Sequence, residues 1–252
     1  IDGGMAGAGF PVGGHVTVGA AIADVRDRLT EREGSPDRAR IESDRGYLYG
    51  RWEQRPGAPG WSAAAHLGLG FSRIETWRRV DFLDAEVAGQ HRAWDGSVSL
   101  DVGREFRFRR WTFRPFAGGE YVYLGERAYT ERGQSGAELA FSRQGVDSLL
   151  AGVGVAVGTR LDLGGVALMP EVRVRQARDF SNGTDGLLAS FAGGDEFAAP
   201  GRSFSRDRTE VGFTLWAQLG ERIGIAAYYS RTDYGQGHDF AQAAGGQLRV
   251  GF

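Results

Sequence analysis

Apolar residues alternate with small or polar ones through most of this chain. In residues 61–71, Trp61, Ala63, Ala65, Leu67, Leu69 and Phe71 share one phase, and Ser62, Ala64, His66, Gly68 and Gly70 share the other. The same period returns at Leu149, Ala151, Val153, Val155 and Val157, and at Val166, Leu168, Pro170, Val172 and Val174. It returns again at Val211, Phe213, Leu215, Ala217 and Leu219, then at Ile223, Ile225, Ala227 and Tyr229. A period of two places successive side chains on opposite faces of a β-strand. Eleven strands are predicted, at 2–10, 14–26, 44–54, 60–72, 94–107, 111–124, 146–160, 165–177, 206–219, 222–233 and 241–252. Around Gly220 and Glu221 two of them must meet in a tight hairpin. The chain ends in the same rhythm, with Gly246, Leu248, Val250 and Phe252 in one phase, although untied termini usually fray.

The two phases differ in a way that sets the environment. One is apolar and almost uncharged for about nine to eleven residues, the length a tilted strand needs to cross a bilayer. The other mixes Gly, Ala and Ser with Glu, Arg, Gln and His. Short connections ("FPVGGH", "RPGAPG", "RFRRW", "LDLGG", "LGER") alternate with long polar ones at 27–43, 73–93, 125–144, 178–205 and 231–239. Short turns at one end and long loops at the other are the signature of a transmembrane β-barrel. A soluble sandwich also alternates, but it explains neither the inward glycine, nor the segment length, nor the uneven loops. Trp52, Trp61, Phe106, Phe108, Trp111 and Phe113 fall near the short turns, and Phe71, Tyr121, Tyr123 and Tyr229 nearer the long loops, as interfacial girdles would. Arg104 interrupts the apolar phase beside a short turn, either snorkelling to the interface or marking a bulge. Single-chain barrels normally have an even strand number. A twelfth strand lies either within 184–194 or upstream of Ile1, and the start at Ile1 without an initiator Met favours the second.

Composition agrees with this architecture. Gly supplies 41 of 252 residues, more than double the usual ~7%, and each one inside a helix costs ~1 kcal/mol. There are 15 Phe, 8 Tyr and 6 Trp, and no apolar run reaches the ~18–20 residues of a spanning helix. The net charge of −2 argues against a nucleic-acid partner. The absence of Cys excludes disulfides and thiolate-bound metal. The lipid-facing phase comprises Leu67, Leu69, Val153, Val155, Val172, Leu215, Ile225 and Val250. The opposite phase carries Arg114, Glu120, Glu171, Arg173 and Arg175, expected to line a lumen as mutual ion-pair partners, because unpaired charges in a confined pore are costly.

Little in the sequence suggests catalysis. His15, His66, His91 and His238 are scattered without metal-ligand spacing. Asp147 and Ser148 sit in "GVDSL", without a nucleophile elbow. "GAGFPVGG" opens no helix that could hold a phosphate. Neither an enzyme nor a cofactor is expected.

Several stretches resemble the translocator β-domain of autotransporters. "GGMAGAGFPVGGHVTVGAAIA" resembles that family's paired opening strands, and "YLYGRW" its Tyr-rich strand. "FRPFAGGEYVYLGERAYTERG" followed by "VDSLLAGVGVAVG" is the most specific match, with Pro115, Gly118, Tyr121, Glu131 and Gly133 in the family's order. The resemblance runs along essentially the whole chain. It implies a single domain over 1–252, a monomeric twelve-strand barrel in the outer membrane of a Gram-negative bacterium. Such barrels are usually preceded by a helix that threads the pore and joins a secreted passenger. The sequence shows no such helix and opens at what corresponds to the second strand. The implied partners are outer-membrane lipid, the barrel-assembly machinery and the chain's own passenger. The implied assembly signal is the terminal strand, with Leu248, Val250 and Phe252. The competing readings are a small diffusion channel, with residues 178–205 as its constriction loop, and a barrel-embedded enzyme.

Overall fold

The computed structural model describes residues 2–30, 37–181, 187–191, 194–199, 205–220, 222–235 and 240–251. In chain order the strands begin with β1 (Asp2–Val12), β2 (Val16–Thr30), β3 (Arg38–Glu53), β4 (Trp61–Val80) and β5 (Ala85–Arg104). Then come β6 (Phe106–Phe108), β7 (Trp111–Glu126), β8 (Tyr129–Thr130), β9 (Leu139–Phe141), β10 (Gln144–Thr159) and β11 (Leu161–Leu163). The chain continues with β12 (Val166–Asp179), β13 (Leu187–Phe191), β14 (Glu196–Ala199), β15 (Asp207–Leu219), β16 (Ile223–Asp233) and β17 (Phe240–Val250).

One antiparallel path joins β1-β2-β3-β4-β5-β7-β10-β12-β15-β16-β17, each strand beside its sequence neighbour, with β6 and β11 as short continuations of hairpins. These are the eleven predicted strands. β13 lies inside the predicted alternative at 184–194, but it belongs to a separate four-stranded sheet, β14-β13-β9-β8. Among the described residues β1 and β17 share no ladder, so the path is a curled sheet with two free edges.

The burial pattern follows the period of two. On β4 the odd positions are largely open, Leu67 at 54%, Leu69 at 60% and Phe71 at 68%, while Gly68, Gly70 and Ser72 between them are buried. On β10 Val153 is 63% exposed, and Leu150 and Ala156 in the other phase are buried. An outer face this apolar and this continuous is what lipid requires and water does not tolerate. Curvature sends the polar phase inward, and tight connections at one end bear positive-φ glycines at Gly13, Gly164, Gly165 and Gly220.

The long connection expected at 73–93 is a correction. β4 runs to Val80 and β5 starts at Ala85, separated only by a 3-10 turn at Asp81–Leu83 and Asp84 at φ 46°. Its charged residues, among them Arg73, Glu75, Arg79, Glu86 and Arg92, belong to strands of 20 residues. Crossing needs only ~9–11, so these strands rise beyond the bilayer. Polar composition there signals water on both faces of the strand.

Candidate functional site: the lumen and its outer mouth

Large inward side chains need space on the neighbouring strand, and inward glycines supply it. A Cβ on Gly154 would lie 2.4 Å from the Phe116 ring, and one on Gly224 would lie 2.3 Å from the Trp216 ring. Gly19 receives Tyr49 and Gly245 receives Tyr228 in the same way. The inward excess of glycine is therefore a set of sockets for aromatic rings. Gly70 makes room for charge instead. The register sets Arg45 opposite Gly70 and Gly70 opposite Asp95, and Arg45 Nη2 bonds Asp95 Oδ1 at 3.1 Å across β4.

The middle of the inner wall is polar. His66, Ser99, Asp101, Glu120, Arg173, Arg175, Glu210, Ser230 and Thr232 line a cavity of about 420 Å³. Arg173 reaches Asp101 at 3.5 Å although β7 and β10 lie between their strands in the sheet. Three strand spacings would put their backbones roughly 14 Å apart in a flat sheet, so curvature shortens the chord. The Arg173 guanidinium also lies 4.0 Å over Phe116, and that of Arg114 lies 5.6 Å from the same ring. Buried Arg175 pairs with Glu210 at 3.6 Å. His66 Nδ1 meets the Ser99 hydroxyl at 2.6 Å.

These placements bear on each sequence expectation. Arg114, Glu120, Glu171, Arg173 and Arg175 all fall on the inward phase of β7 and β12. Their expected mutual pairing is corrected: Arg173 and Arg175 find Asp101 and Glu210, not Glu120 or Glu171. Asp101 and Glu210 were legible as inward-phase carboxylates, but their partners depend on curvature that no local pattern carries. Leu67, Leu69, Val153, Val172, Ile225, Leu248 and Val250 are exposed in the outward phase, with Val155 and Leu215 half-buried in it. Phe252 and His238 lie outside the described residues.

The outer mouth holds a feature that alternation could not disclose. Residues 127–143 carry the β7–β10 hairpin upward beside the edge of β5: β8 and β9 keep the β7–β10 register, and Arg127 N–H donates to the Arg92 carbonyl at 3.1 Å. Arg78 donates to both Glu131 carboxylate oxygens, at 3.2 and 2.7 Å, and to the Ala137 carbonyl at 3.0 Å. Leu139 N–H donates to the same carboxylate at 3.0 Å. Ala88 and Arg132 exchange backbone bonds of 3.0 and 2.7 Å. Val80, Val87 and Ala137 form a small buried apolar cluster beneath. The rings of His91, Tyr129 and Phe141 stack at 4.1 and 4.6 Å. Burial holds the His91 imidazole below its ordinary pKa, against the opposing pull of Glu126 at 3.7 Å. The Tyr129 phenol is pushed up to about 12, by burial first and then by the Glu131 and Glu126 charges. β8 and β9 continue into β13 and β14, so two long loops share one sheet.

The other candidates for chemistry have structural partners. His15 Nδ1 bonds the Glu53 carbonyl at 2.9 Å. Ser148 donates to Asp179 at 2.6 Å. Burial alone would raise the Asp179 carboxyl, but bonds from Ser148 and Ser181 and the Arg208 charge bring it below its usual range. Among the described residues no group of three or more His, Cys, Asp or Glu side chains could hold a metal.

A family model described as the autotransporter beta-domain matches residues 1–230. No curated protein matches the chain. The fold is similar to the translocator domain of autotransporter NalP from Neisseria meningitidis, at 16% identity and a TM-score of 0.76, over 99% of this chain and 79% of that one. It is also similar to the β-domain of the Bordetella autotransporter BrkA, at 18% identity and a TM-score of 0.65, over 99% of this chain and 91% of that one.

Proposed function

The chain belongs to the autotransporter β-domain family, and from that premise we propose that its ion-paired lumen is the surface along which a passenger segment crosses the membrane. The domain is an outer-membrane unit of a Gram-negative bacterium that anchors and translocates a passenger domain. The observation that carries the proposal is the division of the sheet into an apolar outer band and an inner wall of Asp101, Glu120, Arg173, Arg175 and Glu210. A wall of both signs offers a polar chain hydrogen-bonding partners without holding one charge type fast. Family members are in general transport and anchoring units, and we assign this one no catalytic step. The test is a reporter joined upstream of Ile1 and expressed in a Gram-negative host. The reporter should become accessible to added protease on intact cells, and a reporter left in the periplasm beside an inserted barrel would refute the reading.

A second reading, a diffusion channel, draws on the loop sheet at the outer mouth. The segment at the mouth is 127–143, the extension of the β7–β10 hairpin, with β13 and β14 from the expected constriction region 178–205 attached to it. Steady ion conductance in planar bilayers that rises when 127–143 is removed would favour that reading.

We further propose that one chain makes one barrel, and that the barrel-assembly machinery reads the terminal strand. Leu248 and Val250 face outward at 68% and 49% exposure, where an aromatic residue two positions on would meet the interface. Replacing Phe252 with a polar residue should reduce heat-modifiable barrel in cells far more than it reduces refolding in detergent. Normal insertion in cells with poor refolding in vitro would make the residue merely structural.

A further inference from the structure

We propose that the tip of the β6–β7 hairpin, together with Arg104, binds the headgroup of an anionic phospholipid in the periplasmic leaflet. The proposal rests on the membrane-anchoring reading, because it needs the short-turn end of the barrel to sit in that leaflet. Arg104 lies opposite Trp61, Phe106 opposite Phe113 and Phe108 opposite Trp111, all on the outward phase. Gly103 opposite Phe116 and Phe106 opposite Phe113 keep one register, so no residue is inserted and Arg104 marks no bulge. The pairing lapses where that register would set Arg104 against Pro115, which has no N–H to donate. Phe108 is 72% exposed and Trp111 47%. Around these rings the cations gather: Arg104 lies 5.6 Å from Trp61 and 5.0 Å from Phe106, Arg109 lies 5.6 Å from Phe108, and Arg110 lies 5.9 Å from Trp111.

Two observations set this cluster apart from an ordinary girdle. Among the described residues Arg104, Arg109 and Arg110 make no ion pair, as is also true of Arg55 in another short turn, whereas three other short-turn arginines do. Arg107 is paired with Glu105 at 3.2 Å, Arg51 with Glu53 at 2.6 Å and Arg160 with Asp162 at 2.9 Å. The second observation is backbone strain. The other short turns at this end place glycine at positive φ (Gly13, Gly57, Gly164, Gly165 and Gly220), but Arg109 occupies φ 55° in a two-residue turn. Such turns favour Gly or Asn at left-handed positions, so the backbone alone would not select arginine. The turn is held in place by the Thr159 hydroxyl, which donates to the Arg110 carbonyl at 3.0 Å. Three unpaired guanidiniums at headgroup depth present the planar donor forks that phosphate accepts. Phe106, Phe108 and Trp111 offer their faces to the adjoining acyl chains.

The test is lipid retention by the refolded chain, measured by native mass spectrometry from micelles doped with phosphatidylglycerol or phosphatidylcholine. The chain should retain phosphatidylglycerol at least tenfold more strongly. Joint replacement Arg104→Gln, Arg109→Gln and Arg110→Gln should abolish that preference, and Arg160→Gln should leave it intact. Arg109→Gly separates binding from folding: it relieves the strained φ, so the barrel should be equally or more stable yet retain less phosphatidylglycerol. Equal retention of the two lipids, or an unchanged preference in the triple variant, would overturn the proposal. So would a preference removed equally by millimolar inorganic phosphate, because the acyl chains contribute in the proposed site. If the triple variant assembles poorly in cells while its lipid preference persists, the patch meets a protein and the lipid assignment is wrong. A chain that inserts and displays its reporter but shows no preference would overturn this inference and leave the anchoring function standing.

Discussion

Gly154 shows at the scale of one residue why the inner phase looks as it does. The ring of Phe116 and the backbone oxygen of Val174 both lie 2.4 Å from where its Cβ would stand. One methyl group there must move a neighbouring strand, and overpacking of this kind costs about 1–3 kcal/mol. Gly154→Ala should therefore lower the denaturant midpoint of the refolded barrel. Gly46→Ala, whose Cβ would meet nothing within 4 Å, should stay within about 0.5 kcal/mol. Equal losses in the two variants would mean that the sockets do not matter. One position before Gly154, Val153 is 63% exposed on the outer phase. Val153→Arg should cost ~2–4 kcal/mol if that side chain sits near the bilayer midplane, read from refolding equilibria in lipid vesicles. A loss well under that range would place it near an interface. The sequence disclosed both phases, because a period of two is a local property. It did not disclose that Gly154 serves Phe116, since that pairing depends on register.

At the scale of elements the loop clamp is the feature with most energy at stake. Glu131 holds both ends of its contact: it accepts from Arg78 on β4 and from Leu139 N–H within its own loop, and its side chain is only 5% exposed. Breaking a buried pair by removing one partner costs about 3–5 kcal/mol, less here because Arg78 keeps a third of its surface in solvent. Glu131→Gln should loosen 127–143 from the edge of β5, seen as faster proteolysis of that segment with the barrel still heat-modifiable. Unchanged cleavage would show that Val80, Val87 and Ala137 suffice to hold the loop. His91 adds a pH dependence of definite sign. Its pKa is depressed in the docked state, so that state binds fewer protons than the undocked one. Docking is then favoured above the ordinary imidazole value of ~6.5 and weakens as pH falls below it. Cleavage within 127–143 should accelerate on acidification, and His91→Phe, which preserves the stack with Tyr129, should remove that response. An identical pH profile in the variant would assign it to Glu126 or another group. In the sequence the loop read only as a polar gap bearing Glu131 and Gly133 in a familiar order. Arg78 looked like one more charge in a supposed loop at 73–93, because polar composition cannot tell a strand standing in water from a loop.

For the whole molecule the unresolved demand is at the seam. The path from β1 to β17 is antiparallel at each of its steps. Eleven strands alternating in direction leave the first and last pointing the same way, so direct closure would make one parallel pair in an otherwise antiparallel barrel. A single added strand restores antiparallel pairing on both sides and gives the even number that such barrels favour. The demand is energetic as well as geometric, because backbone groups left unpaired in hydrocarbon cost several kcal/mol each. Gly3, Gly7 and Gly9 on β1, and Leu248 and Val250 on β17, lie on strands with one partner apiece among the described residues, β2 and β16. β13, the extra strand within the chain, is committed to β9 and β14 and does not fill the gap. Residues 1–252 alone should therefore refold into lipid with amides of β1 and β17 exchanging rapidly along their outer edges. Adding upstream residues that supply one alternating strand should protect those amides and raise the temperature of heat-modifiable unfolding. The measurement is hydrogen exchange resolved to residues 3–12 and 240–250, on both forms in the same vesicles. Slow exchange on both edges of the shorter form would mean that β1 and β17 pair directly, and that the barrel closes with eleven strands.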